Sequence, residues 1–225
     1  MQRYNCVIFT SADNKLVAEY SREVISNSMN ISKVFTNNRQ STSISSLMSE
    51  ILQLGEIDYV FNYLAPKKFP KWLIDFPKFG CINFHPGSYK YPGVGSASYA
   101  IFNQDSEFGL TAHWMNNSFD SGDIVHEIFF EIKEEWGCFE LFNAALSQSK
   151  LLLSETIQIL IKEPKPSKVR DWDGPAKTRK DFLDWMIYKV GSDDRDLDLL
   201  VKSVKHPEFS GPFIQFAGHQ FAYKS

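Results

Sequence analysis

The sequence predicts an α/β protein: a doubly wound, mostly parallel sheet with a small C-terminal α+β extension. Short apolar runs of strand length recur at residues 6–10, 31–35, 57–61 and 81–84. Segments with helical spacing separate them. The resulting βαβαβ order calls for right-handed crossovers, and so for a parallel sheet.

Taken in order, residues 6–10 are the first buried strand. Ser11 or Asp13 can cap the following helix, which places Leu16, Val17, Tyr20, Val24 and Ile25 on one face. Residues 31–35 are the second strand, and 43–54 the second helix, with Gly55 as its C-cap. The third strand, 57–61, ends at Asn62-Tyr63-Leu64-Ala65-Pro66. Residues 72–76 make one helical turn between prolines, and the strand at Cys81 follows. Residues 97–102 read as a helix. Residues 109–114 and 124–132 alternate with period two around the polar loop 116–122, which predicts two more strands of the same sheet. Residues 139–161 form a long amphipathic helix ended by Pro164. Pro164-Lys165-Pro166 marks a change of character. Residues 1–164 are thus the core domain and 165–225 an extension, with helices near 181–188 and 196–204 and strands near 213–216 and 220–223. About 60 such residues bury too little surface to fold alone, so the extension should pack on the core or on a second subunit.

Composition narrows the function. A net charge of −3 without basic blocks disfavours a nucleic-acid partner held by electrostatics. The three cysteines, Cys6, Cys81 and Cys138, are scattered. They read as reduced thiols of a cytoplasmic protein, not a disulfide frame or zinc site. No apolar run approaches the roughly 18 residues needed to span a bilayer. The N-terminus leads straight into a strand, so no signal peptide is expected. Phe accounts for 19 residues, which serves a core or a stacking site for flat ligands.

The chemistry gathers at Cys81-Ile82-Asn83-Phe84-His85-Pro86-Gly87. Asn83 and His85 are two apart, so on a strand both leave the same face. Pro86-Gly87 ends the strand. An amide and an imidazole therefore stand together at the C-terminal edge of the sheet, where open α/β sheets bind ligands. The same pair could instead satisfy loop backbone groups from the interior. The turn after the first strand carries neither a dinucleotide nor a P-loop glycine pattern. The five histidines form no close ligand pair and there is no C-x-x-C, so no metal is expected. There is no G-x-S-x-G elbow. Asp120, in Asp120-Ser121-Gly122-Asp123-Ile124, is the best acid to join them, with Asp123 a neighbouring turn residue. Amide, imidazole and carboxylate suit a carbonyl that becomes tetrahedral: the amide donates to the oxyanion, the imidazole moves a proton, and the carboxylate orients the imidazole.

Asn83-Phe84-His85-Pro86-Gly87, then Tyr91-Pro92-Gly93, Gly109-Leu110-Thr111-Ala112-His113 and Asp120-Ser121-Gly122-Asp123-Ile124, resemble the folate-dependent formyltransferase family. The resemblance is good over about residues 57 to 130. It implies a catalytic triad of Asn83, His85 and Asp120 and a formyl donor, 10-formyltetrahydrofolate. The donor's pterin would be held by backbone at Asn62, Tyr63 and Leu64 and at Asn116, Asn117, Ser118 and Phe119. His113 matches a family histidine read as supporting the site. Gly87, the modest extension and the Lys177-Thr178-Arg179-Lys180 segment resemble the short nucleotide-sugar N-formyltransferases, which act on dTDP-linked amino-dideoxy sugars and are commonly dimers through C-terminal elements. Arg179 would then face the diphosphate, and Gly87 and Tyr91 the amine side. The alternatives are another small amine, such as glycinamide ribonucleotide, or a binding module of the same fold without turnover.

Overall fold

The computed structural model describes residues 3–12, 15–37, 43–207 and 209–223. Asp13 and the side chain of Leu16 lie outside the described residues. The core runs β1 (Asn5–Ser11), α1 (Lys15–Ser26), β2 (Asn30–Asn37), a 3₁₀ turn (Ile44–Leu47), α2 (Met48–Leu52), β3 (Tyr59–Tyr63), α3 (Lys71–Ile74), β4 (Gly80–His85), α4 (Ser96–Phe102), β5 (Glu107–Trp114), β6 (Ile124–Glu131) and α5 (Cys138–Lys162). The extension holds α6 (Arg179–Trp185), β7 (Ile187–Lys189), α7 (Leu197–Val204), β8 (Phe213–Phe216) and β9 (His219–Ala222).

The main sheet has the order β2-β1-β3-β4-β5-β6. β1 to β4 pair parallel, and β5 and β6 continue the sheet antiparallel. Period-two alternation divides its two faces. Cys6, Ile8, Tyr59, Phe61, Ile82 and Phe84 face a core closed by α1, α4 and α5. Val7, Phe9, Val60 and Cys81 face the other way, onto Ile51 of α2 and Leu73 of α3. A side chain so buried contributes about 1.5–3 kcal/mol. Cys6 and Cys81 are buried thiols on opposite faces of the sheet, and burial first, then the Asp58 charge, pushes Cys6 up to about 12.

Three predicted elements differ. Residues 43–54 are not one helix: Ser43 accepts from the Ser45 N–H, and Ser46 Oγ donates to the Ser43 carbonyl. Serine side chains there compete for the backbone, which gives a 3₁₀ turn before a five-residue helix. Its C-cap is Gln53, so Gly55 turns the chain two residues later. The third strand starts and ends two residues later than expected, which brings Asn62 and Tyr63 into the sheet. Residues 181–188 split into a helix ending at Trp185 and a strand, because Ile187, Tyr188 and Lys189 pair parallel with β8.

The extension packs on the core. Met186, Leu200 and Val204 bury together against Phe102 of α4, Phe182, Trp185 and Phe213. Trp185 also lies 4.6 Å from the Tyr99 ring. Among the described residues no helix is long and apolar enough to cross a membrane.

Candidate active site

The sheet register builds the site. On the face carrying Val60 and Cys81, the next pair toward the strand ends is Asn62 and Asn83, which are direct partners across β3 and β4. Asn83 is in turn the partner of His113 across β4 and β5. Three polar side chains thus stand in a row where the apolar face stops. His85 follows Asn83 two residues on, at the last position of β4.

Asp120 reaches this row from the loop between β5 and β6. Asn116 Oδ1 accepts from the Ser118 N–H and the Ser121 hydroxyl, both at 2.9 Å, and so folds the loop on itself. Asp120 then adopts φ +35, in the left-handed region that Asp tolerates better than most residues. Its Oδ1 accepts from Asn83 Nδ2 at 3.2 Å and lies 3.2 Å from His113 Nε2. Its Oδ2 lies 3.3 Å from His85 Nδ1 and accepts from the Gly93 N–H at 2.9 Å. Burial on its own would raise the Asp120 carboxyl. The His85 charge, the His113 contacts and the Gly93 N–H outweigh it and hold the group well below the usual carboxylate range.

His85 is nearly enclosed. Its Nε2 lies 3.2 Å from both the Tyr91 carbonyl and Ser96 Oγ. A Cβ on Gly87 would come within 2.5 Å of His85 Nε2 and of Ser96 Oγ. Gly87 therefore lets the turn close against the imidazole; it faces His85 and not open space. The Tyr91 hydroxyl donates to Asp105 Oδ2 and accepts from Asn103 Nδ2, both at 2.9 Å, so the side chain is engaged away from the triad while its carbonyl faces it. Arg179 is exposed in the first turn of α6. Asp123 is also exposed, and its carbonyl accepts from the Trp114 N–H.

The extension supplies a wall. Residues 169–177 cross the sheet edge as a strap, bonded by backbone to Ile124, Tyr89, Pro92 and Val94. Gly93, at φ +91, lies so close to Lys177 that a Cβ would meet its carbonyl at 2.2 Å. Arg170 pairs with Glu127 at 2.8 Å and lies 4.0 Å over the Tyr89 ring. Trp172 hangs from the strap, its Nε1 donating to the Gly122 carbonyl at 2.8 Å. Its ring stands edge-on to His113 at 5.1 Å and to His85 at 5.9 Å. Trp172 drew no functional reading from the sequence, since it lies some fifty residues beyond the triad and only the strap's path brings it back.

A cleft of about 50 Å³ touches Asn62, Asn83, His113, Met115, residues 116–120 and Lys67, Lys68 and Phe69. It shares Lys68, Phe69 and Asn117 with a larger hollow of about 370 Å³ beside Ser43 and Lys71. Lys68 Nζ lies 5.3 Å from the exposed Phe119 ring at the mouth. Of the expected pterin residues, Asn62 and 116–119 line the cleft. Tyr63 and Leu64 do not: Tyr63 points into the opposite core, where its hydroxyl meets Ser149 Oγ at 2.7 Å. Lys67, Lys68, Phe69 and Met115 join the lining without having been foreseen; the basic-aromatic Lys67-Lys68-Phe69 run was the available signal. No group of three His, Cys, Asp or Glu side chains that could hold a metal occurs among the described residues.

Fold and site together define an α/β protein with an amide, an imidazole and a carboxylate converging at the C-terminal edge of its sheet. The formyl transferase family model matches residues 5–157, and the chain belongs to that family. A methionyl-tRNA formyltransferase from Clostridium tetani is 30% identical over 124 residues, which is 54% of this chain and 40% of that protein. The match thus spans less than half the relative's length. The solved structure of a 4-N formyltransferase from Francisella tularensis aligns over 98% of this chain and 96% of that one, with a TM-score of 0.75 and 18% identity. The N-formyltransferase from Helicobacter canadensis, solved with folinic acid and dTDP-3-aminofucose, aligns over 80% of this chain and 72% of that one, with a TM-score of 0.56 and 19% identity. At these identities the structural likeness is one of fold.

Proposed function

We propose that this protein transfers a formyl group from 10-formyltetrahydrofolate to the amine of a nucleotide-linked, dTDP-type amino sugar. The observation that carries the reading is that Asp120, at one end of a cleft it lines with Asn83, lies 3.2 Å from Asn83 Nδ2 and 3.3 Å from His85 Nδ1. The Helicobacter canadensis enzyme, whose solved complex holds a folate and a dTDP-amino sugar, supports both substrate classes by analogy of fold.

The cleft's lining suits a flat heterocycle: Met115 and Phe119 offer apolar surface, and the Asn116 to Ser118 loop offers backbone polar groups. The bound donor supplies a formyl carbonyl carbon for the amine to attack. Asn83 Nδ2 donates to the carbonyl oxygen as it becomes an oxyanion. At rest that nitrogen faces Asp120 and His113, so one of its hydrogens leaves a resting partner when the oxygen arrives. His85 moves the proton lost by the attacking amine toward the departing nitrogen, its Nε2 first leaving the Tyr91 carbonyl and Ser96 hydroxyl that face it at rest. Asp120 stays ionised, orients His85 and balances its charge. Trp172 and the strap keep bulk water from His85 and His113. The narrow cleft opens for the donor by separating Lys68 from Phe119.

A second reading takes its acceptor from the curated relatives, methionyl-tRNA. The net charge of −3 speaks against a polyanionic partner. Dimerisation through the extension belongs to the same proposal, and the exposed Phe216 and Phe221 on the β8–β9 hairpin supply apolar surface for it. Assays with the donor and both acceptor classes test the function: formylated amino-sugar nucleotide supports it, and formylation of methionyl-tRNA alone overturns it.

A further inference from the structure

We infer that Asn62 is a positioning residue that fixes which way round the Asn83 amide stands. The inference rests on the reading of Asn83 as the oxyanion donor. An amide turned by 180° keeps its shape but exchanges donor for acceptor. Only one of the two orientations is useful here, because a carbonyl facing the cleft has no hydrogen to give to an oxyanion and would oppose the Asp120 carboxylate.

The polarity is rooted in the backbone. Just past β3, Leu64 adopts φ +61 and turns the Ala65 N–H back toward Asn62. That N–H can only donate, and it lies 3.2 Å from Asn62 Oδ1. Asn62 must therefore present Nδ2 to its neighbour across the sheet. Asn62 Nδ2 lies 2.8 Å from Asn83 Oδ1, which accepts. Asn83 is left with Nδ2 pointing at Asp120 Oδ1, 3.2 Å away, and at His113 Nε2, 3.0 Å away. Three hydrogen bonds thus run in one direction, from Ala65 through Asn62 and Asn83 to Asp120. Asn62 is 6% exposed, so water does not readily replace it. When substrate draws Asn83 off Asp120, the Asn62 link is the one that remains.

The test is Asn62→Asp, which keeps the shape and replaces the donor by a carboxylate that repels Asn83 Oδ1. Asn62→Ser is the second variant, should the first fail to fold. The expected kcat loss is on the order of 10²-fold, the scale of a lost oxyanion donor, while KM for the amino-sugar nucleotide holds. In an Asn83→Ala background the Asn62 change should lower kcat no further. Independently of turnover, the Asn83 side-chain amide signal in a ¹H–¹⁵N spectrum, assigned by its loss in Asn83→Ala, should shift and exchange faster with water. An unchanged Asn83 signal, an unchanged kcat, or an equal further loss in the Asn83→Ala background each overturns the inference. A wild type without transfer activity, beside an Asn62 variant that shows the shifted signal, would sink the proposed function and leave the relay standing.

Discussion

Asp120 Oδ2 lies 3.3 Å from His85 Nδ1, although they stand 35 positions apart in the chain with α4 and β5 between them. Both side chains are almost fully buried there. The pair is set by a strand end on one side and a loop folded by Asn116 on the other.

Replacing either residue proposed as catalytic on β4, Asn83 or His85, should cost turnover more than binding. His85→Asn is expected to lower kcat by about 10²–10⁴-fold, and Asn83→Ala by about 10²–10³-fold. Asp120→Asn should do as much as His85→Asn, and the double change far less than the product of the singles. Asp123→Asn should be nearly silent. Steady-state kinetics with both substrates varied checks this; an essential Asp123 beside a dispensable Asp120 would reverse the assignment.

Acid titration should expose the Asp120 environment. An acid whose pKa falls on folding stabilises the fold fully above its unfolded value, here 3.8, and less as the pH drops toward the folded one. The melting-temperature advantage of wild type over Asp120→Asn should therefore shrink between about pH 5 and pH 3. An advantage that grows on acidification would contradict the direction of the shift.

Trp172→Ala should lower kcat by about 10- to 100-fold, because a shift of ~1 Å in a catalytic group has that effect. Trp172→Phe, which keeps a ring against His113 and His85, should lose less. The half-buried ring should cost less than the ~3–5 kcal/mol of a fully buried Trp→Ala change. Unaltered kcat in a folded Trp172→Ala protein would remove the strap from the chemistry.

The donor loop carries its own prediction. The Ser118 N–H is taken by Asn116 Oδ1, so Ser118→Pro breaks the loop from within. Asn116→Ala breaks it from the other side. Both should weaken donor binding by calorimetry while amino-sugar nucleotide binding holds. Equal losses for the two ligands would place the donor elsewhere.

Much of this was legible in the chain. Period two put Asn83 and His85 on one face, and Pro86-Gly87 marked the strand end. Local patterns did not carry what depends on register or on distant segments. Asn62 read as loop because the polar residue hides that Tyr59–Tyr63 is a strand, and its pairing with Asn83 exists only across the sheet. Ile187 and Tyr188 read as the end of a helix because the strand they pair with, β8, lies some 25 residues on. Gly87 packs against His85, and the Tyr91 hydroxyl is engaged by Asp105 and Asn103, contacts that no local pattern announces. Arg179 stands exposed, and its meeting with a diphosphate remains part of the proposal.

Truncation checks the packing of the extension. A 1–164 fragment loses Trp172, Trp185 and α7, and so bares Tyr99 and Phe102. It should be unstable or aggregate. A soluble, cooperatively folded, monomeric fragment would show that the extension is dispensable to the core.

The most direct measurement is a mass spectrum of the products formed from 10-formyltetrahydrofolate and a small panel of amino-sugar nucleotides, with wild type and Asn83→Ala side by side. The expected result is one panel member that gains a single formyl group with wild type and almost none with Asn83→Ala. A formyl group appearing on no member, or appearing equally with both proteins, would contradict the proposed reaction and the role of the triad.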